Sequence, residues 1–66
     1  MKIHFNGMPL ELPEACALPE LLRLQGLAER RFAVERNGAI VPKSQHAQTQ
    51  LVDGDRIEVV HAIGGG

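Results

Sequence analysis

The sequence predicts an α+β fold: a mixed sheet of about four to five strands wrapped on one main helix, in the order ββαβββ. Three observations support this prediction. Two pairs of strand-like segments each meet at an Asn-Gly dipeptide, Asn6-Gly7 and Asn37-Gly38, a strong signal for a tight hairpin. One segment with helical periodicity lies between the hairpins, and an apolar segment follows them.

The first hairpin is predicted at the amino end of the chain. Ile3 and Phe5 alternate with polar residues before the turn, and Leu10 and Leu12 do so after it. Such alternation is typical of strands that bury one face. We therefore expect two antiparallel strands that direct these four side chains toward the core.

A short amphipathic helix is predicted next. Leu18, Leu21 and Leu22 recur at the spacing of one helix face. Pro19 stands where a first helical turn tolerates proline. Gly26 indicates the end of this helix, because glycine is favoured just past a helix C-terminus.

The second hairpin and a last strand complete the predicted sheet. Residues 32–36 and 39–41 flank the second Asn-Gly turn, and the polar segment 43–50 indicates a loop that can hold one helical turn. The Asp-Gly-Asp turn at residues 53–55 precedes a strand over residues 56–63. The apolar residues of this strand predict that it is half buried or central.

Two hairpins and one helix can bury their apolar faces only against one another, because an isolated hairpin is marginal in water. The predicted result is a β-grasp domain over residues 1–63, followed by a flexible glycine tail over residues 64–66. The expected core consists of Ile3, Phe5, Leu10, Leu12, Leu18, Leu21, Leu22, Phe32, Val34, Ile57 and Val59.

Length and composition exclude several function classes. A chain of 66 residues is too short to enclose a large active-site cleft. Its net charge of −1 and two aromatic residues make nucleic acid a poor candidate partner. One cysteine excludes an internal disulfide and fits a cytoplasmic protein. No segment approaches the roughly 20 apolar residues of a membrane span, so no membrane partner is expected.

Other reactive residue types are not expected to carry chemistry. Cys16 lies in an Ala-Cys-Ala segment with no cue for a lowered pKa, so we expect a structural thiol. His4, His46 and His61 lack the spacing of metal ligands, and no metal site is predicted. The Asp-Gly-Asp turn lacks the other ligands of a calcium loop.

The glycine tail is the strongest functional signal. Gly64, Gly65 and Gly66 can extend about 10 Å beyond the last strand and enter a channel too narrow for side chains. The α-carboxylate at the tip is a poor electrophile at neutral pH, so its reaction requires a leaving group such as AMP. Because the sequence holds no phosphate-binding motif, we expect the activating enzyme to be another protein.

Three segments resemble a known family: the opening IHFNG, the central VERNGAIVPKSQHA and the final DGDRIEVVHAIGGG. They resemble the ThiS family, the sulfur carriers of thiamine (thiazole) biosynthesis, which have a ubiquitin-like β-grasp fold. The resemblance extends over nearly the whole chain. His46 departs from a larger aromatic residue that the family often carries, and the third glycine exceeds the family's Gly-Gly minimum. Neither departure affects the chemistry.

The resemblance implies that the protein is a co-substrate and not an enzyme. An adenylating enzyme of the ThiF type would convert the Gly66 carboxylate to an acyl adenylate with ATP. Sulfur from a sulfurtransferase or cysteine desulfurase would replace AMP and leave a thiocarboxylate. Thiazole synthase of the ThiG type would take the sulfur and return the carboxylate. In this scheme Gly64 and Gly65 form the thin stalk, and no bound cofactor is implied.

One face of the sheet is predicted to dock the activating enzyme. It mixes small apolar groups with carboxylates, so a partner can cover it without burying many charges. The alternative is an ordinary solvated sheet face. The residues of the predicted docking face are Ala33, Glu35, Glu58, Val60 and Ala62.

Two alternative functions remain open at this point. The small subunit of molybdopterin synthase resembles this chain in its β-grasp fold, Gly-Gly terminus and thiocarboxylate chemistry, although that family is usually longer. A β-grasp interaction module or a ubiquitin-like protein modifier would instead leave the glycines unused or join them to a lysine of a target protein.

Overall fold

A computed structural model of the protein describes residues 1–27 and 32–61, with the backbone alone at His61. The predicted order of elements is confirmed. These elements are β1 (Lys2–Phe5), β2 (Met8–Glu11), α1 (Leu18–Leu24), β3 (Phe32–Arg36), β4 (Ala39–Val41), a 3₁₀ helix (Lys43–Gln48) and β5 (Arg56–His61).

The five strands form one mixed sheet in the order β2-β1-β5-β3-β4. β5 is the central strand, which is one of the two placements predicted for it: it runs parallel to β1 and antiparallel to β3. Residues 62 and 63 of the predicted strand lie outside the described part of the chain. Phe5 pairs with Ile57, and Val34 pairs with Val59. This register aligns the apolar residues of neighbouring strands on one face, which packs against α1.

The two hairpins turn at the predicted Asn-Gly dipeptides. Asn6 and Asn37 have φ angles of 51° and 53°, and the glycines that follow them have φ angles of 84° and 88°. Two successive positive φ values define the type I′ turn, whose twist matches that of the flanking strands. Each turn therefore fixes the register of its hairpin.

Helix α1 ends at Leu24, and Gly26 lies just past its C-terminal end, as predicted. Gly26 has a φ angle of 74° and donates its backbone N–H to the Arg23 carbonyl, while Leu27 donates to the Leu22 carbonyl. These two bonds form a Schellman motif, which satisfies carbonyls that a helix end leaves unpaired.

No helix in the described parts of the chain is long and apolar enough to cross a membrane.

The core lies between α1 and the sheet and contains most of the predicted residues. Its buried members are Ile3, Leu12, Cys16, Leu18, Leu21, Leu22, Val34, Leu51, Ile57 and Val59. Phe5, Leu10 and Phe32 were expected in the core but are only partly buried. Each lies at the margin of the sheet: beside a turn, on the edge strand β2 and at the first position of β3, respectively.

A buried carboxylate joins β5 to the second hairpin. Asp55 is 3% exposed. Its side chain accepts hydrogen bonds from Arg36 Nε at 3.0 Å, Asn37 Nδ2 at 3.1 Å and the Val52 backbone N–H at 2.9 Å. In the opposite direction, the Arg56 backbone N–H donates to Asn37 Oδ1 at 2.8 Å. Residues near the start of β5 are therefore fixed to the turn between β3 and β4.

The hydrogen bonds to Asp55 have a larger combined effect on its pKa than burial has. Burial alone would raise the pKa of this carboxyl, but donation from Val52, Asn37 and Arg36 lowers the pKa below its ordinary value of 3.8. Because the native state prefers the ionised form, Asp55 stabilises the fold at neutral pH.

We predict that Asp55→Asn lowers the free energy of unfolding by about 1–3 kcal/mol, because the amide removes the charge and turns one acceptor into a donor facing other donors. Urea unfolding followed by circular dichroism measures this change. Asp53→Asn is the matched control: Asp53 is exposed and accepts only the Lys2 backbone N–H among the hydrogen bonds of the described residues, a bond that asparagine can keep. Equal stability of the two variants would contradict a structural role of Asp55.

The same carboxyl predicts a pH dependence of stability. Its contribution is complete above its ordinary pKa of 3.8 and is lost as the pH falls through the lower pKa of the folded state. The difference in unfolding free energy between wild type and Asp55→Asn should therefore shrink in acid. Urea titrations of both proteins across the acid range measure it, and a difference independent of pH would refute the assignment.

Candidate functional site

The central strand β5 leads toward the glycine tail and is held on both sides. Its last described residue, His61, pairs with Phe32 of β3. On the other side, the Val59 backbone N–H donates to Asn6 Oδ1 at 2.8 Å, so the turn of the first hairpin supports the strand beyond the end of β1. Strand β5 is thus held in the sheet as far as His61, its last described residue.

Four predicted docking residues share the face of the sheet opposite α1. Ala33 pairs with Val60, and Glu35 pairs with Glu58, across the β3-β5 ladder. Val34 and Val59, which lie between them on the two strands, are buried on the helix side. The remaining predicted site residues, Ala62, Gly64, Gly65 and Gly66, lie outside the described part of the chain.

Ile40 belongs to the same face, although the sequence analysis did not select it. It pairs with Glu35 across the β3-β4 ladder and is 60% exposed. The sequence does contain a signal for this placement of Ile40. A two-residue turn at Asn37-Gly38 places residues 35 and 40 directly opposite each other. We call the set Ala33, Glu35, Ile40, Glu58 and Val60 the outer patch.

Charge is distributed unevenly over this face. The Glu35 and Glu58 carboxylates lie on neighbouring strands in direct register. At the other end of the face, His4 pairs with Arg56 and Lys2 precedes them. Both ion pairs of the described chain lie elsewhere, at Glu20-Arg23 and Arg36-Asp55. The outer patch is therefore apolar and acidic, and the basic side chains that the structure describes on this face lie at its other end.

A shallow groove of about 270 Å³ lies between the first hairpin and the end of α1. Its lining consists of Phe5, Asn6, Met8, Pro9, Leu10 and Gln25. None of these side chains is charged, so the groove lacks the cationic group that commonly holds a nucleotide phosphate.

Cys16 is a buried core thiol. It is 2% exposed, and its Sγ donates to the Ala17 carbonyl at 3.7 Å. Burial, and secondarily the negative charge of Glu20, raises the pKa of the thiol above its ordinary value. A protonated, enclosed thiol is a poor nucleophile, which agrees with the predicted structural role.

His46 also has a structural contact. Its Nε2 atom lies 3.0 Å from the Val41 carbonyl oxygen and joins the 3₁₀ helix to β4. Within residues 1–27 and 32–61, no group of three side chains is arranged to bind a metal ion.

Solved structures identify the class of protein to which this fold belongs. The chain resembles the crystal structure of the thiamine biosynthesis protein ThiS from Geobacter metallireducens, with a TM-score of 0.87 and 30% identity over the full length of both chains. A five-stranded mixed sheet around one helix, matching this neighbour throughout, defines a small ubiquitin-like β-grasp protein.

Sequence comparison identifies the family. The ThiS family model matches residues 3–66. The sulfur carrier protein ThiS of Bacillus subtilis is 39% identical over 65 residues, which are 97% of this chain and 98% of that protein. The chain therefore belongs to the ThiS family, sulfur carriers of thiamine biosynthesis, and the predicted membership is confirmed.

Two further relatives are much longer proteins. Thiazole synthases of Magnetococcus marinus and Paramagnetospirillum magneticum are 46% and 44% identical to the chain over 66 residues. The chain spans 20% of the length of each. In these two proteins a domain similar to the whole of this chain is part of a polypeptide named for the synthase.

We predict that Cys16 of the native protein reacts slowly with a thiol reagent, because burial and the raised pKa both suppress the thiolate. Intact-mass analysis after iodoacetamide treatment should show little adduct under native conditions and a complete adduct in urea. Rapid alkylation of the folded protein would contradict this assignment.

Proposed function

We propose that the protein carries sulfur for the thiazole moiety of thiamine as a thiocarboxylate on Gly66. Full-length similarity to the Bacillus sulfur carrier is the observation that supports this proposal most directly. The sequence ends in the glycines that such chemistry requires. The family match favours thiazole formation over the molybdopterin pathway, which would use the same chemistry.

The proposed cycle has three steps. The Gly66 carboxylate attacks the α-phosphate of ATP on an adenylating enzyme of the ThiF type, and pyrophosphate leaves. The terminal sulfur of a persulfide on a sulfurtransferase or cysteine desulfurase then attacks the carbonyl carbon and displaces AMP. A thiol reduces the resulting acyl disulfide, which forms a disulfide and releases the thiocarboxylate. Thiazole synthase of the ThiG type takes up this sulfur, and an oxygen atom from the acceptor substrate or from water replaces it at the carbonyl carbon and regenerates the carboxylate.

The partners supply the catalytic groups in this proposal. Cys16, the one cysteine of the sequence, is buried and protonated, and the groove beside α1 has an uncharged lining. These features support a role as a protein co-substrate rather than a catalyst. Gly64 and Gly65 act as the narrow stalk, since glycine lacks the side chain that would hinder entry into a channel.

A direct partnership with thiazole synthase is supported by the two long relatives. A domain similar to this chain forms a fifth of each protein that bears the synthase name. Joining a carrier to its acceptor enzyme raises the effective concentration of the carrier. For the present chain we propose the same pairing with a thiazole synthase. The activating enzyme docks on the predicted face, Ala33, Glu35, Glu58, Val60 and Ala62.

We predict that incubation with ATP, a sulfur donor and the activating enzyme raises the intact mass by the difference between sulfur and oxygen. A variant lacking Gly65 and Gly66 is the control and should keep its mass, because it lacks the reacting carboxylate and part of the stalk. A wild-type protein of unchanged mass would refute sulfur loading. Adducts joined to lysines of other proteins would instead indicate a ubiquitin-like modifier.

A further inference from the structure

The outer patch has a defined arrangement of charge and apolar surface. Ile40, Glu35 and Glu58 form one row across three neighbouring strands, and Ala33 and Val60 form the next row toward the tail. Ile40 and Val60 are 60% and 53% exposed. Two exposed apolar side chains therefore flank a pair of carboxylates.

This arrangement is unfavourable in the isolated protein. Side chains in direct register on neighbouring strands have Cβ atoms about 4.5–5.5 Å apart, and like charges at this separation destabilise a sheet. A single basic side chain placed above the pair can contact both carboxylates, and a guanidinium group suits this geometry. The patch is thus complementary to a surface with a basic group between apolar contacts.

A second copy of the chain does not provide this complement. In a two-fold symmetric dimer centred on the acidic pair, the pair of one copy would approach the pair of the other. The activating enzyme is the expected occupant of this face, because the patch lies on β5, which leads to the tail, and on β3 and β4 beside it. Binding there aligns the body of the carrier with the catalytic site.

We propose that the adenylating enzyme recognises the outer patch through a basic side chain, arginine or lysine, that bridges Glu35 and Glu58, with apolar contacts to Ile40 and Val60. This inference rests on the proposed function and deepens it: it names the recognition chemistry and adds Ile40 to the docking residues. The carboxylate pair gives charge selectivity, and the apolar side chains contribute to affinity.

The test measures KM and kcat for ATP-dependent adenylation of the full-length carrier by its adenylating enzyme. Ile40→Ala and Val60→Ala should each raise KM about tenfold, as expected for well-covered apolar contacts. Val52→Ala is the matched control, because Val52 is equally exposed at 53% and lies outside the sheet. All three variants should keep the wild-type kcat, since the Gly66 carboxylate is unaltered.

The carboxylate pair is tested in the same assay. Glu35→Gln and Glu58→Gln should each raise KM severalfold at low salt, with a smaller effect at high salt because ions screen the lost attraction. Glu58→Lys should have a larger effect. Glu11→Gln, at an exposed carboxylate opposite Lys2, is the charge control. Thermal unfolding of the free Glu58→Gln variant should show equal or greater stability, because substitution removes the like-charge contact.

The possible outcomes separate this inference from the function on which it rests. A wild-type carrier that is not adenylated refutes both. A carrier that is adenylated, with the same KM in the patch variants as in Val52→Ala and Glu11→Gln, refutes the inference and leaves the proposed function intact. If the patch variants bind thiazole synthase more weakly but keep the wild-type KM for adenylation, the synthase and not the adenylating enzyme covers the patch. If the variants change the sedimentation coefficient of the free carrier, a second copy covers it.

Discussion

The hydrogen bonds to Asp55 determine where the central strand begins, and the rest of the molecule depends on that strand. Asp55 binds Arg36 and Asn37, which lie 19 and 18 residues earlier in the chain. These contacts join the second hairpin to the start of β5. β5 in turn joins that hairpin to β1, so a single polar cluster aligns the two halves of the sheet and orients the strand that leads to the tail.

In the proposed function, the sheet provides recognition and the tail provides the reacting carboxylate. The helix-facing side of the sheet is filled by apolar side chains, whereas its outer side presents the patch on β5, β3 and β4. Three glycines offer few contacts of their own, so affinity for a partner must come mainly from the body. A body with fixed geometry can direct a tail without side chains into the catalytic site of one particular enzyme.

The sequence predicts the elements of this fold better than the contacts between them. Asn-Gly dipeptides specify both hairpins, and alternation identifies the faces of β3 and β5, because these signals act over a few residues. Burial of Asp55 depends on Arg36 and Asn37, distant partners that no local pattern reveals. Cys16 is buried for a related reason: its carbonyl accepts a hydrogen bond from Leu51, which packs one loop against another. Ile40 could have been placed from the turn register alone.

The acidic pair on the outer patch illustrates a conflict between stability and recognition. A pair of opposite charges at positions 35 and 58 would stabilise the sheet more than the two glutamates do. A basic group from the proposed partner removes the repulsion only in the complex. This increases the free-energy difference between the bound and the free carrier. In the proposed complex, energy gained at the patch acts on substrate capture, and the chemical step at Gly66 is left to the enzyme.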